Sequence, residues 1–376
     1  MTGASFGAVG GAGAIWMVDD AATLWRLGPP RTTPVAGRTW VRHVGELREE
    51  PAVQFATADG DGGVLVVDRS SVSSLDPETG VQAPIAALPP KLGTVEAAMV
   101  VDDLLVLTTA DEIVALGARD GRLRWRTPHG KSANVSPVVF GSALAFRSQG
   151  PSSELLLVSI RDGAVLGRIP TGSDAVGAPP VVCRGALVVP AGGGSLLVVS
   201  PGGSSAVASG FAPDVRSLGC DERRGRVWAV GIDGDHAVAT WADAATGAVA
   251  GTVGLGPREV GPWDAVQVVG DTVVVPTLVA GIVGLDADTG AQRWSRPPGL
   301  LRGVRAVVID GDVWIVDRTG RTEVLDARSG RVRWTERGLG EDLSAYNLLL
   351  APVVAGHRVV LASPRALWAL PLEGPR

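Results

Sequence analysis

The chain has 376 residues and a net charge of −5; 45% of it is hydrophobic, only 19% is charged, and glycine (51) and proline (26) make up about a fifth. With a mean hydropathy of +0.24, this composition excludes a disordered chain, and its density of turn-forming residues excludes long helices. Charges of both signs are interspersed, so no basic field exists to hold nucleic acid, and no stretch of about 18 residues runs free of polar or turn residues, as a helical membrane span requires.

The N-terminal stretch Met1–Asp20 has no Lys or Arg before its apolar residues, unlike a secretory signal. A cytoplasmic chain is therefore expected, the alternative being an extracytoplasmic domain of a longer one. Ile15–Leu27 reads as two strands. From residue 74 a unit recurs: Ser74-Leu-Asp-Pro-Glu-Thr-Gly80, Ala115-Leu-Gly-Ala-Arg-Asp-Gly121 leading to Trp125, Ser159-Ile-Arg-Asp-Gly163, a degenerate copy ending at Gly202, Trp241-Ala-Asp243-Ala-Ala-Thr246-Gly247, Gly284-Leu-Asp-Ala-Asp-Thr-Gly290 leading to Trp294, and Val324-Leu-Asp-Ala-Arg-Ser-Gly330 leading to Trp334. The glycines step by 41, 42, 39, 45, 43 and 40 residues.

Each unit carries the same physics. An apolar strand reaches Asp, whose carboxylate can accept backbone N–H bonds and cap a turn. Gly then supplies a positive φ, and the Trp four residues later is suited to wedging between neighbouring sheets. Two more short strands precede each hairpin, as in Ala265–Val269, Thr272–Pro276, Gly281–Asp286 and Ala291–Ser295. Four antiparallel strands per roughly 42 residues is one blade of an all-β propeller. Seven blades end in these hairpins. The C-terminal segment offers only Leu349–Val354, Arg358–Ala362 and Ala366–Leu370, so an N-terminal strand joining residues 347–371 would complete an eighth blade and close one domain over 1–376. Seven blades is the alternative, and Ile15–Leu27 leaves strands for a ninth.

This A-L-D-x-x-T-G-x-x-x-W unit resembles the repeat of the PQQ-like (quinoprotein-dehydrogenase-like) β-propellers, bacterial proteins that include the periplasmic outer-membrane-assembly propeller and the sensor propellers of some actinobacterial kinases. The resemblance spans Ala52 to Leu370 and usually implies eight blades; it specifies a fold far better than a function. Quinoprotein dehydrogenases in the family carry adjacent cysteines and a calcium site. This chain has no Cys-Cys pair, so neither PQQ nor another cofactor is expected. No metal is expected either, because no CxxC is present and Asp59-Gly-Asp61-Gly and Asp233-Gly-Asp235-His236 lack the downstream Glu of a calcium loop. Both read as turns between the second and third strands of a blade. The two cysteines, Cys183 and Cys220, are 37 residues apart in equivalent places of adjacent repeats. A disulfide is conceivable, but two free thiols are expected, since such positions usually exceed the separation a disulfide spans.

Propellers bind ligands where the connections from each outermost strand to the next innermost strand gather around the channel mouth. Those connections are Gly37–Glu50, Ala87–Gly93, Thr127–Ala133, Pro170–Ala178, Gly210–Asp214, Gly254–Trp263, Arg296–Gly303 and Glu336–Asn347. They, or the strand starts beside them, hold the candidate proton-transfer groups His129, His43, Glu341, Asp342 and Tyr346 and the candidate ligand-binding residues Arg42, Lys131, Asp174, Arg258, Trp263, Arg302 and Arg305. His236 and His357 fall at other strand connections. The first expectation is a monomeric, non-catalytic binding scaffold that recognises a partner protein or peptide at this funnel. The alternatives are a cofactor-independent small-molecule enzyme (lyase, cyclase or hydrolase) and a ligand sensor using the same funnel.

Overall fold

The computed structural model describes residues 6–372 apart from 11–13, 19–23, 28–39, 44–52, 60–61, 69, 91, 94, 130–136, 149–152, 173–177, 258–265, 278–280, 297–304, 318–320, 337–351 and 363–365. Among the described residues there is no helix, and eight four-stranded antiparallel sheets form an eight-bladed propeller. Blade 1 consists of Val53–Ala58, Val64–Asp68, Ser71–Leu75 and Gln82–Ala87; blade 2 of Val95–Val101, Leu104–Thr109, Glu112–Gly117 and Leu123–Pro128; blade 3 of Val138–Phe140, Ala143–Ser148, Glu154–Ser159 and Val165–Pro170. Blade 4 has Val181–Cys183, Ala186–Gly192, Ser195–Val199 and Ser205–Ser209; blade 5 has Asp214–Asp221, Arg226–Asp233, His236–Asp243 and Val249–Pro257. Blade 6 has Gln267–Val269, Thr272–Pro276, Ile282–Asp286 and Gln292–Arg296, and blade 7 has Arg305–Ile309, Asp312–Val316, Thr322–Asp326 and Val332–Glu336.

Blade 8 is made from both ends of the chain. Val353–Ala355, Arg358–Ala362 and Ala366–Pro371 supply three strands, and Trp40–His43 pairs antiparallel with the last of them as the outermost fourth. The N-terminal segment thus supplies the outermost strand of the last blade. Phe6–Gly10, Ala14–Val18 and Leu24–Leu27 form a separate three-stranded sheet whose first strand lies beside Trp40–His43. The strands expected at Ile15–Leu27 therefore exist but add no ninth blade.

Strand composition explains the layering. The first strands of neighbouring blades lie beside one another around the axis, so they line the channel. The second and third strands are buried on both faces, as in Leu104–Thr109 and Thr272–Pro276, because each is sandwiched between two neighbouring sheets, and they read as unbroken apolar runs. The outermost strands alternate; in Leu123–Pro128 only Trp125 and Thr127 are buried. Eight apolar clusters fill the eight seams between blades. One joins Val64, Val66 and Leu75 of blade 1 to Val353, Val360 and Leu367 of blade 8, and the others complete the circle.

The recurring hairpin forms as its residue types dictate. Asp286 Oδ1 accepts the Asp288 and Thr289 backbone N–H groups and the Thr289 hydroxyl. Asp76, Asp243 and Asp326 accept equivalent backbone and hydroxyl donors. Gly290 and Gly330 take φ of 72° and 67°. In blade 4 it is Gly203, not Gly202, that takes the positive φ, with Ser200 N donating to Ser204 O across the turn. Asp59 caps a turn to Gly63, but that turn joins the first and second strands of blade 1, a correction to the expected second-to-third connection. Asp233–His236 does join the second and third strands, in blade 5.

Trp docks between blades as its size and position predict. Trp125 Nε1 donates to Ile160 O and Trp294 Nε1 to Ala327 O, each in the next blade. A Cβ at Gly330 would stand 2.6 Å from the Trp294 ring, and one at Gly163 would stand 2.7 Å from Trp125. The hairpin glycine is therefore required twice, by its backbone and by its neighbour's indole.

Candidate functional site

Strand direction sorts the connections onto two faces. The hairpins after each third strand and the turns after each first strand emerge on one face, here the lower. The connections from outermost to innermost strands emerge on the other, together with the turns between second and third strands. On this upper face a backbone clamp repeats. Leu88 N donates to Ser70 O, His129 N to Asp111 O, Thr171 N to Ser153 O and Phe211 N to Gly194 O. Each bond ties the residue just past an outermost strand to the second-to-third turn of its own blade, fixing the direction in which the chain leaves for the mouth.

His129 therefore occupies a repeat position, equivalent to Leu88, Thr171 and Phe211. It is only 6% exposed, and its ring meets Phe146 of blade 3 edge-on with centroids 5.0 Å apart. It plugs the seam between blades 2 and 3, in contrast to the solvated mouth residue expected of a general base. Arg42 and His43 also depart from expectation. They lie on the outermost strand of blade 8, paired with Leu367 and Ala366, because the closing strand takes residues that the sequence pattern assigns to a connection. Arg305 opens the innermost strand of blade 7. Lys131, Asp174, Arg258, Trp263, Arg302, Glu341, Asp342 and Tyr346 lie outside the described residues. His236 and His357 are exposed at turns; His236 lies on the upper face, paired with Pro257 at the end of the outermost strand of blade 5, whereas His357 lies on the lower face between the first two strands of blade 8.

The structure adds residues that the repeat pattern does not single out. Arg216 sits at a register shift in the innermost strand of blade 5, between Val215 and Ser217, and its guanidinium donates to Asp214 Oδ2 at 2.9 and 2.7 Å. Such bulges re-aim a side chain, and this half-buried pair stands near the upper end of the channel wall. Gln267, at the start of the innermost strand of blade 6, donates to Ala306 O and accepts from Val308 N, cross-linking blades 6 and 7 at the wall. Farther out, Glu323 is 4% exposed and is held between Arg296 and Arg321, both at 2.7 Å. Glu154 pairs with Arg168 at 3.0 Å, and Glu112 pairs with Arg126. These ion pairs join strand ends and set the rim of the upper face.

The lower face carries the two cysteines. Cys183 and Cys220 are joined in a disulfide, with Cα atoms 5.3 Å apart, which corrects the expectation of two free thiols. Both lie on innermost strands, where blades converge on the axis and equivalent positions come within bonding reach. Beside them the Glu222 carboxylate accepts the Arg184 backbone N–H, while the Arg184 guanidinium donates to Glu222 O. One turn further out, Arg224 is held charged, most strongly by Asp288 and then by Asp271.

An eight-bladed ring with repeating Asp-capped hairpins, an inter-blade indole at several seams and a loop-rimmed channel defines a PQQ-like β-propeller. The chain belongs to the family described as outer membrane protein assembly factor BamB, whose pattern it matches over residues 68–209 and 235–371. No curated protein matches it in sequence. Among solved structures it is similar to BamB from Moraxella catarrhalis, at 16% identity and a TM-score of 0.65 over 88% of this chain and 99% of that one. It is also similar to the C-terminal WD40 domain of Sif2 (12% identity, TM-score 0.68, covering 88% and 98%) and to the computationally designed Ika8 protein (14%, 0.64, covering 85% and 96%). At these identities the likeness is one of fold. The stretch between the two matched segments contains the first two strands of blade 5, each eight residues long.

Proposed function

We propose that the chain is a non-catalytic propeller scaffold that holds a segment of a partner protein at the upper mouth. The observation that supports this best is the closed and fully packed ring. Eight filled seams and the backbone clamps beneath the connections give a rigid platform on which connection residues from many blades converge, and sites held from rigid elements bind with little ordering cost. Membership of a family named for an assembly factor supports the same reading, because assembly is work done on other proteins. A propeller of this type is consistent with that role. The burial of His129 against Phe146 supports binding over proton-transfer chemistry, since an enclosed imidazole is poorly placed to meet a substrate.

The reading needs neither PQQ nor a metal. It places the working chain outside the cytoplasm, the alternative raised by the sequence, because a disulfide persists in oxidising compartments and the family's description names the outer membrane. Among the described residues no helix is long and apolar enough to cross a membrane.

Thermal-shift measurements separate this from the small-molecule readings. The purified chain, with metals, PQQ, nucleotides and small metabolites added in turn, is expected to keep its melting temperature. A compound that raises it in the wild type but not in Lys131→Ala or Arg258→Ala would overturn the scaffold reading in favour of an enzyme or sensor.

A further inference from the structure

The disulfide joins two parts of the ring that the family pattern treats separately. Cys183 lies within the first matched segment and Cys220 in the unmatched stretch that follows it. The bond crosses the seam between blades 4 and 5, four seams away from the seam between blades 8 and 1. The two cysteines differ in access: Cys183 is 0% exposed, whereas Cys220 is half-buried. Cys183 Sγ also lies 3.3 Å from the carbonyl oxygen of Arg226. That oxygen accepts from a thiol when the bond is open, so the buried sulfur has a partner in the reduced state too. The Glu222 carboxylate stands within 4.8 Å of both sulfurs and disfavours a thiolate there, so the departing Cys183 sulfur leaves with a proton.

We propose that Cys183–Cys220 is a redox-responsive staple on the inner wall of the ring and a substrate for a dithiol oxidoreductase acting at Cys220. In the reducing direction a thiolate of the dithiol attacks Cys220 Sγ, forming a mixed disulfide and releasing Cys183, which takes up a proton and bonds to Arg226 O. The second thiol of the dithiol then displaces Cys220. Two electrons and two protons pass to the chain, and the dithiol ends as a disulfide. Opening the staple removes the covalent tie across that seam and leaves hydrogen bonds, among them those of Arg184 to Glu222 and Arg223, of Ala178 N to Val215 O and of Cys183 to Arg226 O, with the apolar cluster between blades 4 and 5. Reduction therefore loosens one seam and leaves the other seven as they are.

The test needs no variant at its first step. Alkylation and mass spectrometry of the chain produced in an oxidising compartment should find no free thiol before reduction and two after it; two free thiols beforehand would overturn the proposal. A thioredoxin-type dithiol whose resolving cysteine is replaced by Ser should trap a mixed disulfide on Cys220 of the folded chain. Trapping on Cys183, or only after unfolding, would contradict the assigned route. Hydrogen exchange after reduction should quicken in 181–188 and 214–227 and stay unchanged in blades 1, 2 and 7, with a melting temperature lower by several degrees. The double variant Cys183→Ser/Cys220→Ser should reproduce the reduced pattern and ignore the dithiol. Exchange and melting that do not respond to reduction would show a disulfide that staples nothing.

Discussion

At the scale of single residues, the hairpin glycine carries two separable constraints. Gly330 has a φ of 67° and its missing Cβ makes room for Trp294, whereas Gly311 has a φ of 84° with open space around it. Gly311→Ala is expected to cost about 1 kcal/mol through backbone strain alone. Gly330→Ala should cost at least about 2 kcal/mol, because the indole must also move. Chemical denaturation of the two variants reads the difference. The capping aspartates tie stability to pH. The Ser329 hydroxyl, joined by the Arg333 guanidinium and the Ser329 N–H, holds the Asp326 carboxyl down to about 2 from an ordinary value of 3.8. Asp286 is lowered further, chiefly by the Thr289 N–H and then by Arg293. A carboxyl lowered by folding adds stability above its unfolded value and loses it as pH falls through the folded one. The wild type should therefore weaken between about pH 4 and pH 2, and Asp326→Asn should show a shallower loss there in acid titrations followed by circular dichroism.

At the scale of elements, what was legible in the sequence was whatever repeats. Asp, Gly and Trp stand at fixed offsets, so the hairpins, the blade length and the deficit of one strand at the C-terminus could be read directly. The arginine before each Trp could not, because its role depends on a bulge. Gly284 pairs with Trp294 while Leu285 pairs with Gln292, so Arg293 is the extra residue, and its guanidinium returns to Asp286. Arg333 does the same to Asp326, and Arg124 reaches Asp120. The disulfide was hidden for the opposite reason: sequence separation gives no measure of how closely innermost strands approach at the axis. Trp294→Ala should cost about 2–3 kcal/mol, at or below the low end for a buried Trp because the indole is half-buried. Trp294→Phe should cost about 1 kcal/mol for the lost bond to Ala327 O. Equal losses in thermal melts would mean that packing, and not the indole N–H, carries the dock.

At the scale of the whole molecule, ring closure depends on four residues from the far end of the chain. Removing residues 1–45 leaves the edge of Ala366–Pro371 unpaired, and a free edge invites pairing with another copy. The truncated chain should melt earlier and self-associate more than the full chain as its concentration rises in sedimentation velocity runs. The candidate site was legible only as a location. Connection order places it on the upper face, but the fold itself decides which side chains meet there, and it takes His129 into a seam and Arg42 and His43 onto a strand.

The most direct test of the scaffold reading is a photo-crosslinking amino acid introduced in living cells at Lys131, Asp174 and Trp263, in the outermost-to-innermost connections, and at Arg161 and Arg328, on the lower-face hairpins. Adducts to one and the same protein from the first three positions, with none from the hairpins, are the predicted result. No adduct from the connections, or the same adduct from both faces, would contradict a partner held at the upper mouth.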